Sequence, residues 1–326
     1  MAITEMQAAS WEARDKKPMD MVLDNVPLLM YMKAAGRVKT ILGGRVFWEP
    51  ALIAQNGYVQ RIDPTEPITM GWQPVLTDFE YAPKIMVTPI LINVLEEAQN
   101  AGEGRFLDLY NTREGVAESS TMNNIEYDLQ GDGTAFGGKG FNGIKTYVVD
   151  NPALGSYGGV SRVSNTSIRN TSVNFLSTFG SATDSSNIEA RIRYLKNRLI
   201  RNDGQNKYMG LFGETYFNAG ADSMSAKQRI TKDDGLMKAG FDNYQIEGVT
   251  AVLAAGKVFS GLSRIAADRG YVLNVANFAL KTYTGYNMEP LRKRTSYNQL
   301  VDAGLLLTIG QFTCNGAALS GVGFDS

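Results

Sequence analysis

Residues 131–162 read GDGTAFGGKGFNGIKTYVVDNPALGSYGGVSR, nine glycines spread around one β-like run, Ile144 to Val149. The stretch follows the longest helix candidate of the chain, Gly104 to Gln130. Gly133, Gly138 and Lys139 come close to the phosphate-cradling pattern G-x-x-x-x-G-K-[ST], but Gly140 stands where the Mg²⁺-binding hydroxyl belongs. The order of elements also opposes that reading: a phosphate loop runs from a strand into a helix N-terminus, whereas this run leaves a helix and enters a strand. Asp128, Gln130, Asp132 and Gly133 resemble the start of a calcium loop, yet Lys139 sits where a bidentate Glu is required. What remains is a backbone reading. Glycines at this density permit positive φ and close chain approach, so the stretch is the crossing between a long helix and a sheet, with positive φ expected at one or more of Gly137, Gly138 and Gly140.

Composition removes several chemistries. The chain of 326 residues contains no histidine and one cysteine, Cys314. Ser-His-Asp and Cys-His catalysis, His-containing zinc sites and internal disulfides are thereby excluded. Cys314 lies in an apolar run and reads as a buried structural thiol rather than a nucleophile. Thirty-two Lys plus Arg against 33 Asp plus Glu leave a net charge of −1, so the chain as a whole is no polyanion binder. The first residues, MAITEMQAASWEARDKKPMD, mix both charges without the apolar core of a signal peptide, which gives a cytosolic expectation. No run approaches the ~18 apolar residues of a membrane span. The length exceeds the usual single-core size and suggests two subdomains with extended arms.

Residues 1 to about 40 read as an arm with one short apolar helix candidate, Val26 to Ala35. Ile41 to Thr77 reads as a hairpin leaving the body, with strands at Arg45 to Glu49 and Tyr58 to Ile62 and a turn at Asn56-Gly57. Trp48 and Trp72 pack either on the chain's own body or on a neighbouring subunit. Asp78 to Val87 alternates as a strand. Thr88-Pro89 then looks like a helix cap and first-turn proline, with Ile90, Leu91, Val94, Leu95 and Ala98 as a helical stripe. Phe106, Tyr110, Val116, Ala117, Ile125 and Leu129 give the Gly104 to Gln130 helix a thin stripe, as expected of a helix across a sheet with one face exposed. Glu96-Glu97 and Glu114/Glu118 read as solvated helix surface rather than acid–base pairs.

Beyond the crossing, 15 of the 24 residues from Ser164 to Asn187 are Ser, Thr or Asn, which marks loops at a subdomain seam. Ser186 and Glu189 form a capping box for a helix whose stripe is Ile188, Ile192, Leu195 and Leu199. Arg191, Arg193, Lys196, Arg198 and Arg201 surround that stripe without forming one row, which fits subunit salt bridges or solvation better than nucleic acid. Asp222 to Ala239 is a charged excursion containing Asp233-Asp234. Gln245 to Leu253, Tyr271 to Tyr283 and Leu300 to Thr313 read as strands. In the last, Val301, Ala303, Leu305, Leu307 and Ile309 hold one face, while Leu306 and Phe312 on the other predict cover on both sides.

LGGRVFWEP followed by NGYVQRID looks like an extension loop, and DFEYAPKIMVTPILINVLEEAQNAGEGRFLDLYN like a strand and spine helix. GGKGFNGIKTYV looks like the step after that helix, and FDNYQIEGVTAVLA and NQLVDAGLLLTIGQFTCNGAAL like late strands. In this order and over nearly the whole chain, they resemble the major capsid proteins of tailed bacteriophages, which share the Hong Kong 97-type capsid fold. The resemblance implies an α+β fold. Its parts are an N-terminal arm at 1–40, an extension loop at 41–77, and a peripheral domain at 78–205 with the spine helix at about 104–130. An axial domain at 206–270, peripheral strands at 271–312 and a C-terminal segment at 313–326 packing back on the axial domain complete it.

The same resemblance implies a subunit that assembles as pentamers and hexamers into an icosahedral head enclosing double-stranded DNA, made in the cytoplasm of a bacterial host. It implies no catalytic residue, cofactor or metal. The implied partners are further copies of the chain, a portal, a separate scaffolding protein and a decoration protein, with DNA enclosed but not read by sequence. Inter-subunit contacts are expected at Trp48, Trp72, Arg45, Arg61, Arg191 and Arg198. The block from Ile41 to Pro83 contains no lysine, so the isopeptide weld of some family members is not carried over. Two alternatives stand beside this one: an encapsulin-like compartment shell of the same fold, and a carboxylate-dependent hydrolase using a pair such as Asp233 and Asp234.

Overall fold

The computed structural model describes residues 26–93, 95–96, 109–200, 207–226, 243–254, 265–295 and 301–326. The first half runs α1 (Pro27–Ala34), β1 (Val38–Ile41), β2 (Phe47–Leu52), β3 (Leu76–Tyr81), β4 (Lys84–Asn93), α2 (Leu109–Leu129) and α3 (Ile144–Tyr147). Two short strands, β5 (Ser156–Tyr157) and β6 (Val160–Ser161), lead to β7 (Thr171–Asn174), α4 (Phe175–Phe179), α5 (Ile188–Leu199), β8 (Tyr208–Phe212) and α6 (Glu214–Ala226). The remainder is strand: β9 (Asn243–Ile246), β10 (Val249–Leu253), β11 (Arg269–Asn274), β12 (Phe278–Tyr283), β13 (Glu289–Thr295), β14 (Val301–Cys314) and β15 (Gly321–Phe324).

Two sheets organise these elements. The first has the order β1-β12-β14-β13, with β4 lying antiparallel along β14 from Val301↔Asn93 to Gly310↔Lys84. The long helix α2 crosses it, and Thr88 Oγ1 meets Thr121 Oγ1 of the helix at 2.8 Å. Side chains alternate across a strand, so the even-numbered Leu306, Thr308, Phe312 and Cys314 face this core and are buried. Leu305, with Ile85, Val87 and Leu91 of β4, stays exposed on the opposite face. The expectation of cover on both sides is corrected accordingly: within one chain, only the even face is closed. The helix expected from Thr88-Pro89 is also corrected, because Pro89 sits inside β4. That strand pairs only with β14 among the described residues, and an edge strand tolerates a residue without an N–H. Arg113 Nη1 satisfies the edge by donating to Leu91 O at 2.5 Å.

The second sheet has the order β7-β15-β11-β8-β10-β9. Helix α5 packs on it through Ile188, Ile192, Leu195 and Leu199, the stripe read from the sequence, all buried. Its N-terminus differs from the expected capping box. Asp184 accepts from Ser186 N and Asn187 N, while Glu189 Oε1 accepts from Ser223 Oγ of α6. β9 and β10 form a tight hairpin in which Glu247 and Gly248 both take positive φ, the geometry of a two-residue turn matched to strand twist.

The glycine crossing joins α2 to the core. Gly137 and Gly138 have φ of 69° and 83°, as expected there, and Phe136 shares the left-handed region at 54°. Ile144 to Val149, expected as a strand, instead begins with the helical turn α3. Ile144, Tyr147 and Val148 recur at helical spacing and are all buried, so one face of a helix, not of a strand, fills the core. A Cβ on Gly143 would stand 2.3 Å from Asp128 O and 2.4 Å from Gly131 O, so only glycine lets α2 and α3 meet this closely.

Candidate interaction surface

Residues 47–81 form the part of the chain that projects from the body. The expected pairing of Arg45–Glu49 with Tyr58–Ile62 is corrected: β2 pairs with β3, from Phe47↔Tyr81 to Leu52↔Leu76. Asn56-Gly57 makes only a local turn, closed by Tyr58 N donating to Asn56 Oδ1. Residues 53–75 between the strands contain no strand of their own. Their rungs are made by side chains. Gln60 Nε2 donates to Thr69 O while Thr69 N donates to Gln60 Oε1, and Gly57 N donates to Gln73 Oε1.

The root of this projection is anchored firmly. Phe47, Phe79 and Tyr81 are buried, and Phe79 stacks on Tyr157 with ring centres 5.0 Å apart. Gly158, at φ 56°, lies against Phe79 where a Cβ would come within 2.7 Å of its side chain, and its carbonyl accepts from Glu80 N. Lys281 of β12 meets Glu49 of β2 at 2.6 Å and donates to Trp48 O, while Thr313 Oγ1 donates to Glu49 Oε1.

Beyond the root the side chains are apolar and open to solvent. Met70 is 89% exposed and Trp72 88%, with Leu52, Val59, Ile68 and Leu76 similarly bare. An isolated exposed apolar residue is ordinary, but a run of six on one projection is a contact surface. A second apolar surface lies on the open face of the first sheet, where Ile85, Val87, Leu91 and Leu305 are exposed. Between β4 and α2 a cavity of about 330 Å³ is lined by Pro89, Leu91, Arg113 and Val116.

The six expected contact residues separate into three groups. Trp72 and Arg61 lie exposed on the projection. Trp48, half exposed, and Arg45 line a cavity of about 530 Å³ at its root, together with Glu80 and Lys281. Arg198 is exposed on α5, with its guanidinium 4.2 Å from the centre of the Tyr194 ring. Arg191 does not belong with them. It is buried, donates to Ser181 O, Ser181 Oγ and Thr183 Oγ1, pairs with Asp325, and lies over the Phe175 and Phe179 rings. Its bonds are all made inside the chain, so the inter-subunit role expected of it is corrected. The exposed Val59, Ile68 and Met70 escaped the sequence reading because they follow no period. Their signal was apolar residues inside a proline-punctuated segment.

Polar groups that could carry chemistry are dispersed or satisfied. Glu96 pairs with Arg113 at 2.9 Å, and that hydrogen bond holds its carboxyl below the usual range. Glu97, Asp233 and Asp234 lie outside the described residues. Burial pushes the Cys314 thiol up to about 12, which keeps it protonated and unreactive. Among the described residues no group of three His, Cys, Asp or Glu side chains could hold a metal ion, and no helix is long and apolar enough to cross a membrane.

No family model matches the chain, and no curated protein matches it in sequence. Solved structures do match over nearly the full length. The capsid asymmetric unit of cyanophage A-1(L) aligns with a TM-score of 0.73 and 16% identity, covering 96% of each chain. The holo-SrpI encapsulin complex of Synechococcus elongatus aligns at 0.61 and 10% identity, covering 99% of this chain and 96% of that one. The mature capsid of bacteriophage PhiM1 aligns at 0.55 and 10% identity, covering 100% and 92%. The chain has the α+β architecture of these shells, the Hong Kong 97-type capsid fold.

Proposed function

We propose that the protein is the major capsid subunit of a tailed bacteriophage, assembling as pentamers and hexamers into an icosahedral head around double-stranded DNA. One observation carries the proposal: a capsid fold followed over 96% of both chains bears an anchored projection whose outer side chains are apolar and uncovered. Such a projection is completed by a second copy, and its natural counterpart is the open sheet face of Ile85, Val87, Leu91 and Leu305. In this reading Trp48, Trp72, Arg45, Arg61 and Arg198 contact neighbouring subunits. Residues 1–40 form the arm, 41–77 the extension loop, 78–205 with 271–312 the peripheral domain, and 206–270 with the segment 313–326 the axial domain. A portal, a separate scaffolding protein and a decoration protein are the proposed partners, and the role is structural rather than catalytic. DNA is enclosed without being gripped, in keeping with a net charge of −1.

The second reading is a compartment shell that packages protein, supported by the likeness to the encapsulin. Electron microscopy of the purified protein tests both. Closed shells or hexameric rings support them, and a monodisperse small globule sinks them. Nuclease-protected DNA in particles isolated from the producing cells distinguishes the head from the protein compartment.

A further inference from the structure

We propose that Glu126 is a proton-operated latch that fastens helix α1 to the long helix α2 and loosens as its carboxyl loses a proton. The joint stands within one subunit, so it holds whether or not the chain forms shells. Helix α1 begins after Val26, whose side chain makes no cap, so its first N–H groups need an acceptor from elsewhere. Glu126 supplies it from α2. Leu28 N donates to Oε1 at 3.1 Å and Leu29 N to Oε2 at 2.8 Å. Gln130, one turn along α2, donates from Nε2 to Oε1 at 2.7 Å. Glu126 has no exposed surface, and Leu28, Leu29, Met32, Ile125 and Leu129 close the core around the joint.

The carboxyl thus has three donors and no cation. On α1 the titratable side chains are Tyr31, half-buried, and Lys33, exposed. On α2 the nearest are Tyr127, half-buried, and Asp128, whose Oδ2 accepts from Phe141 N on the far side of the crossing. None of these, nor Lys84 or Lys281 of the sheet, figures among the influences on Glu126, which are burial first, then Gln130, Leu29 and Leu28. Burial outweighs the donors and pushes the carboxyl up to about 7 from its usual 4.5. Undocking α1 returns the group to water and to its usual range. Docking is therefore coupled to proton uptake. The sign follows: docking has its full strength below the undocked value, weakens as pH rises between the two values, and is weakest above about 7, by about 300-fold in all. Because α1 leads directly into β1 at the edge of the first sheet, the latch sets how tightly the preceding segment is tied to the body.

Amide hydrogen exchange over Leu28 to Ala34 in the full chain, corrected for intrinsic rates, tests the latch between about pH 5 and about pH 8. Wild-type protection is expected to fall at least about tenfold across that range, while the amides of Ile192 and Leu195 on α5 stay level. Glu126→Gln keeps the shape and an acceptor oxygen but cannot ionise, so its protection is expected to be independent of pH. Gln130→Leu removes a donor that favours the ionised form and is expected to move the midpoint to higher pH. A flat wild-type profile, a Glu126→Gln profile that falls like wild type, or an unmoved midpoint in Gln130→Leu overturns the proposal.

Discussion

Lys281 Nζ and Glu49 Oε1 stand 2.6 Å apart, with side chains only 10% and 16% exposed, and so tie the first strand of the projection to the first sheet. Removing one partner leaves a nearly buried charge without compensation. Lys281→Met is expected to cost about 3 kcal/mol in chemical denaturation, whereas the double change Lys281→Met with Glu49→Leu returns most of that loss. A double variant as unstable as the single one would show that the pair is not the source of the effect.

Trp72 is expected to report assembly without supporting the fold. With its ring bare on the projection, Trp72→Ala should change the stability of the isolated subunit by no more than about 0.5 kcal/mol. The same variant is expected to abolish or strongly slow particle formation, read by light scattering. Amides of residues 53–75 should exchange rapidly in the free subunit and become protected in particles; equal protection in both states refutes the contact.

Gly143 is the demanding position of the crossing. Gly143→Ala places a Cβ against two backbone carbonyls that cannot step aside, and the soluble yield is expected to collapse. Gly138→Ala meets no atom but must hold φ near 83°, at a cost of about 1–2 kcal/mol. Lys139→Ala is expected to leave stability and assembly near normal, with no nucleotide triphosphate bound before or after the change. Measurable ATP binding lost in Lys139→Ala would restore the phosphate-loop reading.

Arg191 is expected to tolerate no substitute. Arg191→Lys keeps the charge but loses the planar fork that reaches Ser181 and Thr183 together and lies over two phenylalanine rings. A loss of about 2–4 kcal/mol is expected, measured by urea denaturation. A neutral outcome would show that water or a shifted side chain can replace the guanidinium.

Covalent links between subunits are not expected. Boiling particles in detergent and reductant should release a single band near 35.6 kDa, and Cys314 should react with thiol reagents only after unfolding. A ladder of multimers would falsify this.

Much of the architecture was legible because its residues serve one purpose each. Ile188, Ile192, Leu195 and Leu199 have a single covered face to occupy, so their spacing names the helix outright. β14 was read as a strand for the same reason, but its buried face was not identifiable. A strand whose outer face is apolar in the isolated chain carries hydrophobic residues at both parities, and alternation then cannot say which side closes. Pro89 misled through an ambiguity of chemistry: a missing N–H suits the first turn of a helix and the free edge of a sheet equally. The partner of β2 was hidden by Asn56-Gly57, a strong local turn signal placed inside an excursion that the strands bracket from outside. Glu126 carried no sequence signal, since the helix it caps lies about a hundred positions away.

The place of β15 bears on how the chain is made. Gly321–Phe324 is not an edge of the second sheet but an inner strand, parallel to β7 on one side and antiparallel to β11 on the other. β7 precedes it by about 150 residues and has no other strand partner in the sheet. During synthesis, therefore, β7 emerges from the ribosome long before its neighbour exists and must wait unpaired until residue 324 has cleared the tunnel. The second sheet closes only after translation of this strand, which makes its completion a late checkpoint on every newly made subunit.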